Sequence, residues 1–357
     1  MRLGRVPYRS STPGSSSDAF ASVLYTVEDD VTGFRVSLTD LGAAIVSVEL
    51  PGRDGRVSGV AFGHGSAEEA LKMGSYLGST IGRVAGRIAE GQFTIDGVEH
   101  TLSRNDSGRH TLHGGDEGFD RRFWKTKRYS VSKRYSETVV VFGLRSEDGD
   151  QGFPGNLDLE VEYTVRPMEI SWEYRAKTDA PTVVNMTNHA YWNLDGHDNL
   201  IDKTELRLNA SYYLPADTYH IPTGEVRPVA GTPLDLHTAS SFERVFSLYG
   251  DVDNCFLLDA LRDEKTSGSL VHAAELTSPN TGRRMEVLTT EPCIVLYTGN
   301  YMDRVTSFGK PCRKHSAVCL EAQKPPNAIN LPRFRDSVIL RPDQEYTQRT
   351  MHKFSVN

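Results

Sequence analysis

Apolar and polar residues alternate with a period of two through much of this chain. The clearest run is Leu157-Asp158-Leu159-Glu160-Val161-Glu162-Tyr163, where every second side chain is apolar. Alternation of that kind lays one face of an extended strand on a core and leaves the other polar. Shorter runs at Phe34–Leu38, Thr138–Phe142, Ile170–Tyr174, Thr204–Leu208, Met285–Leu288 and Ile294–Tyr297 read the same way. Asp96-Gly97, between Phe93-Thr94-Ile95 and Val98-Glu99-His100, predicts a two-residue hairpin. With 31 Gly and 17 Pro separating many short strands, the pattern predicts an all-β fold, a large antiparallel β-sandwich or barrel. A helix is expected only around Ser66–Met73, with Ser66 as N-cap and Glu68 and Glu69 in the first turn. Residues 1–20 hold three arginines and a Ser-rich run without the apolar segment of a secretory signal, so a disordered tail is expected there. A single domain is expected over residues 21–357.

Against this background Val318-Cys319-Leu320-Glu321-Ala322-Gln323 stands out, because it places a carboxylate inside an apolar strand. A buried acid must be hydrogen-bonded, shifted in pKa or put to use. Two other segments carry an imidazole among small or aromatic residues: Thr111-Leu112-His113-Gly114-Gly115, and Thr187-Asn188-His189 leading into Tyr191-Trp192-Asn193. Two imidazoles and a carboxylate suit proton transfer on a small polar substrate. Aromatic rings beside amides suit a sugar, rings against C–H groups and amides toward hydroxyls. Gly82-Arg83-Val84-Ala85-Gly86-Arg87 lacks the G-K-[ST] of a phosphate loop. Its arginines fit hydroxyl binding or a structural ion pair, and the residues alone leave that open. Asp253, opening an apolar strand, fits either a hydroxyl acceptor or the end of a turn.

Charge and cysteine content narrow the classes. A net charge of −7 and a pI near 5.9 argue against nucleic acid or an anionic membrane as partner. Cys255, Cys293, Cys312 and Cys319 form no C-x-x-C pair, which suits neither a zinc site nor a disulfide scaffold. They fit a reducing, cytoplasmic compartment.

Taken in order, G-R-x-A-x-R-I-A, L-H-G-G, T-N-H-x-Y-x-N-L, Y-T-G-N and C-L-E-x-Q resemble the aldose 1-epimerase (galactose mutarotase) family over roughly residues 20–357. The resemblance implies a β-supersandwich that binds a free aldose in an open cleft without metal or organic cofactor, as a monomer or weak homodimer. It further implies that Glu321 takes the proton from the anomeric hydroxyl, that His189 protonates the ring oxygen with help from His113, and that Arg87 and Asp253 hold hydroxyls. Tyr191 is a further expected sugar contact. The chain departs from the family pattern at Gly86, where many members have Asn, and at Val295, where many have Gln; both positions are expected beside the sugar, with broader specificity as the result. Ordinary pKa values of about 4.3 and about 6.5 predict a bell-shaped rate with Glu321 on the acid limb and His189 on the basic limb. Three other readings stay in view: a two-His-one-carboxylate metal site, a sugar-binding protein without catalysis, and an epimerase of hexose 6-phosphates.

Overall fold

The computed structural model describes residues 1–9, 22–260 and 268–357. Three antiparallel sheets carry the architecture. The largest has nine strands, in the spatial order Lys125–Ser132, Glu137–Ser146, Leu157–Arg166, Glu169–Thr178, Tyr346–Val356, Arg283–Thr289, Val271–Thr277, Glu205–Leu208 and Ser240–Ser241. A six-stranded sheet runs Tyr191–Trp192, Val318–Gln323, Cys293–Tyr297, Asp253–Leu257, Tyr212–Leu214, Arg227–Pro228. A five-stranded sheet is built from strands between residues 2 and 59.

The period-two pattern explains how they pack. Along Leu157–Arg166 the buried positions are Leu157, Leu159, Val161, Tyr163 and Val165, and all five enter one core. Ile45 and Val48 of the five-stranded sheet and Ile294, Leu296 and Leu320 of the six-stranded sheet enter the same core. Each fully buried side chain of this kind contributes about 1.5–3 kcal/mol, so the three inner faces hold the sandwich together. The hairpin forms at Asp96-Gly97, both residues at positive φ as its turn requires. The expected helix spans Ala67–Met73, with the Ser66 hydroxyl accepting from the Glu69 N–H at 3.2 Å.

Two expectations need correction. The tail assigned to residues 1–20 begins with a strand, Arg2–Pro7, paired along its length with Val23–Glu28. Leu3 packs on the core, Arg2 pairs with Glu28, and the Arg5 guanidinium lies 5.2 Å from the Tyr25 ring and 4.8 Å from Tyr129. These contacts, together with the free backbone edge of Val23–Glu28, order a segment whose composition reads as disordered. The Ser-rich run that follows lies outside the described residues. A second helix, Phe242–Leu248, was also not expected. It is capped by Ser241 and buries Phe242 and Val245 at i and i+3, two turns being too short to register as periodicity.

Candidate active site

The sheet lattice builds the floor of a pocket. In Val318–Gln323 the side chains of Val318, Leu320 and Ala322 go to the main core, so Cys319, Glu321 and Gln323 face the opposite way. The same alternation puts Val295 and Tyr297 of the neighbouring strand, and Asp253 and Cys255 of the next, on that opposite face. Register then sets two rows across the sheet. Glu321, Val295, Cys255 and Leu214 form one, and Tyr191, Cys319, Tyr297 and Asp253 the other. Loops bring Tyr76, Gly86, His113, His189 and His220 over this floor, and the short strand Arg87–Ile88 brings Arg87, closing a cavity of about 310 Å³. Glu321, His189, His113, Arg87, Asp253, Gly86, Tyr191 and Val295 therefore line one pocket.

His113 owes its position to a reciprocal backbone clasp. Its own N–H donates to the Gly86 carbonyl at 3.0 Å, and the Gly86 N–H donates to His113 Nδ1 at 3.1 Å. A nitrogen that accepts from an amide carries no proton, so neutral His113 presents Nε2–H. Gly114 follows at φ +90, and a Cβ there would lie 1.9 Å from the Gly82 carbonyl oxygen, so only glycine permits the turn. Gly86 is also left-handed, at φ +73, and a Cβ there would meet the Pro326 ring at 2.7 Å. The backbone here does the work of orienting His113.

His189 follows the short strand Thr187–Asn188, which pairs with Thr80–Ile81. Its ring lies near-parallel to Tyr191, centroids 4.8 Å apart, and near-parallel to Tyr76 at 6.0 Å. Nε2 is 3.6 Å from Glu321 Oε1, and Nδ1 is 3.4 Å from Cys319 Sγ. Thr187, Asn188 and Asn193 do not line the pocket as the aromatic–amide pattern suggested. They tie irregular backbone together, as in the bonds from Asn188 to the Gly78 carbonyl and from Asn193 to the Asn199 and Ser316 carbonyls. Trp192 is fully buried in the core.

The two arginines divide. Arg83 is buried away from the pocket and donates to the carbonyls of Ser146, Glu147 and Pro154 and to the hydroxyls of Ser146 and Thr182. Arg87 lines the pocket, its Nε held by Asp106 at 2.7 Å. Asp253 sits 3.5 Å from His220 Nδ1.

Enclosure shifts the titrations away from their sequence expectation. Burial pushes the Glu321 carboxyl well above its ordinary range, and the nearby Asp253 charge adds to this. Burial lowers His189 to about 4 and His113 well below its usual value, the latter helped by the charges of His189 and Arg87. Asp253 is raised by burial, with His220 and Arg87 opposing. A shared proton therefore rests on Glu321 rather than His189, the reverse of the assignment drawn from unperturbed values.

Tyr76, His220, Tyr297, Tyr301 and Gln323 also line the pocket and were not singled out as site residues. Tyr297 and Gln323 lay inside recognised phrases, Y-T-G-N and C-L-E-x-Q; Tyr76 and His220 sit in loops at positive φ and gave no signal. The close pair His110 and His113 diverges, His110 Nδ1 accepting from the Glu90 N–H. Among the described residues, the one trio with ligand atoms within 4.8 Å of one another is His272, Glu275 and Glu286, outside the pocket. Arg284 already pairs with both of its glutamates.

Comparison with known proteins gives a consistent answer. The family model for aldose 1-epimerase matches residues 23–353. Human galactose mutarotase is 40% identical over 328 residues, covering 90% of this chain and 91% of its own. The aldose 1-epimerase of Escherichia coli is 36% identical over 352 residues, 96% of this chain and 98% of its own. Two solved structures superpose at 27% identity. A GalM/aldose epimerase homologue from C. elegans has a TM-score of 0.84, covering 93% of this chain and 99% of its own. A galactose 1-epimerase from Lactobacillus acidophilus has a TM-score of 0.83, covering 100% and 99%. The matches span the whole sandwich and every strand that floors the pocket, so this chain belongs to the aldose 1-epimerase family and is an isomerase that interconverts aldose anomers.

Proposed function

We propose that the pocket binds free hexoses such as galactose and glucose, and that Glu321 and His189 interconvert their anomers. The observation that carries this reading is the 3.6 Å approach of Glu321 Oε1 and His189 Nε2 at the pocket floor. A base and an acid that close can address the two oxygens bonded to one anomeric carbon. Glu321 takes the proton from O1, and His189 gives one to the ring oxygen. The hemiacetal opens, the C1–C2 bond turns, and reclosure on the other face returns both protons. Burial makes ionised Glu321 a stronger base and protonated His189 a stronger acid. Their transfer to the sugar leaves both groups neutral, the state their enclosure favours. His113 Nε2–H and Arg87 are the donors, and Asp253 the acceptor, for the remaining oxygens. Tyr191 stacks on His189 and offers a ring edge to the sugar, while Val295 and Gly86 supply no side-chain hydrogen bond, which favours acceptance of more than one hexose.

A sugar phosphate fits less well. Among the described residues lining the pocket the cations are Arg87, committed to Asp106, and Arg304, which lies over Tyr301. The reading takes the substrate as a small molecule and the location as the cytoplasm; among the described residues no helix is long and apolar enough to cross a membrane. The reading also takes the protein as a monomer or weak homodimer.

The test is polarimetry of freshly dissolved α-D-galactose and α-D-glucose as a function of pH. Between the two limbs the pair holds one proton, so the limbs belong to the pair rather than to either residue. As pH falls through about 4, the depressed value of His189, a second proton enters, Glu321 is no longer free to act as base, and the rate drops. As pH rises, the last proton leaves at the value of Glu321, raised by burial above the ordinary carboxylate range, and the rate falls there. An acid limb centred at about 6.5, the ordinary imidazole value, rather than at about 4 would mean that His189 is not enclosed as described. No acceleration with either sugar would remove the proposal.

A further inference from the structure

We propose that His220 is a positioning residue for Asp253: its imidazole holds one carboxylate oxygen so that the other stays turned to the sugar. This rests on the reading of Asp253 as the acceptor of a sugar hydroxyl.

His220 Nδ1 lies 3.5 Å from Asp253 Oδ2, and both residues line the pocket. His220 Nε2 lies 3.5 Å from the hydroxyl of Tyr301, an exposed residue of the same lining. A carboxylate only accepts, so the neutral ring turns Nδ1–H toward Asp253 and accepts the Tyr301 O–H at Nε2. The Tyr301 N–H donates in turn to the Tyr297 hydroxyl at 3.0 Å, and Tyr297 stands opposite Asp253 across two paired strands. These four residues form one linked wall of the pocket.

A loop is bent to put the ring there. His220 sits at φ +60, a left-handed backbone that costs any residue with a Cβ and that glycine adopts freely. Asp217 holds the bend. Its carboxylate accepts from the N–H groups of Tyr219 and Ile221, its N–H donates to the Ile221 carbonyl, and its carbonyl accepts from the His220 N–H. The Tyr219 ring packs against His110 and under Arg109, which braces the loop from outside.

Asp253 needs such a partner. Burial works against its ionised form, with His220 and Arg87 on the other side. Arg87 already gives its Nε to Asp106, which leaves His220 as the neighbour within ion-pair distance among the described residues. A carboxylate anchored at Oδ2 keeps Oδ1 as a fixed, charged acceptor. The hydroxyl it holds is bound alike before and during ring opening, so the effect belongs to binding rather than to the chemical step.

The experiment is polarimetric measurement of kcat and KM for α-D-galactose and α-D-glucose. His220→Gly removes the ring and suits the left-handed backbone, so the loop keeps its course. It should raise KM about 3- to 10-fold and leave kcat within about twofold. His220→Asn sets an amide N–H where Nδ1 stood and tolerates positive φ, so its KM should stay within about twofold of wild type. His220→Gln reaches toward Tyr301 instead and should resemble His220→Gly. Added to Asp253→Ala, His220→Gly should change little further, since the carboxylate it acts through is gone. Wild-type KM in His220→Gly would overturn the proposal. So would His220→Asn as impaired as His220→Gly, His220→Gln rescuing as well as His220→Asn, or a full His220→Gly effect in the Asp253→Ala background. If Asp253→Ala leaves KM unchanged, the hydroxyl-acceptor reading fails and takes the proposal with it. If Asp253→Ala raises KM and His220→Gly does not, the role of His220 alone fails.

Discussion

Replacing Glu321 by glutamine is expected to lower kcat by about 10²–10⁴-fold while KM changes little. The amide keeps the shape and the 3.6 Å neighbour but cannot take the proton from O1. On the proposed reading sugar binding survives, because Arg87, Asp253 and His113 line the pocket from other strands and loops. His189→Asn is expected to fall by a similar factor, since the ring oxygen then leaves without its proton. The double variant should lie close to the slower single variant, because a relay broken at one end gains nothing from an intact other end. If Glu321→Gln keeps more than about a tenth of wild-type kcat, a different base is at work, and Asp253 is the next carboxylate to test.

The second large effect concerns stability. Arg83→Met should cost about 3–5 kcal/mol, because it removes a buried guanidinium from five hydrogen bonds and leaves three carbonyls and two hydroxyls without their donor. For a chain of this length that lowers the melting temperature by roughly 4–7 °C. Burial lowers the Arg83 pKa to about 10, yet it stays charged at neutral pH, supported by Asp150, Asp148 and Asp179. Chemical denaturation of the two proteins measures the difference. A loss under about 1 kcal/mol would show that water replaces the guanidinium at those carbonyls.

The contrast between Arg83 and Arg87 also marks where sequence reading stops. Both lie in one glycine-rich phrase, four residues apart, and nothing local separates a carbonyl clamp from a pocket residue. Tertiary packing decides it, and the ion pair of Arg87 with Asp106 shows that structural and substrate-facing roles meet in one side chain. Glu321 was legible because period two makes an acid in an apolar strand conspicuous. The long strands of the sandwich were legible for the same reason. Tyr76 and His220 were not, since loops at positive φ carry no period. The protonation state was misread because reference pKa values describe exposed groups, and both Glu321 and His189 are enclosed. Thr187, Asn188 and Asn193 misled because amides that satisfy irregular backbone look, in one dimension, like amides that meet a sugar.

The strand Arg2–Pro7 makes no contribution to the pocket, yet it covers the hydrogen-bonding edge of Val23–Glu28. An uncovered edge is a template on which a second chain can add a strand. Trimming the first seven residues would leave every pocket residue in place and still change the protein's behaviour. Its loss would surface as precipitation and shelf-life trouble, in a preparation whose freshly made enzyme turns over sugar normally.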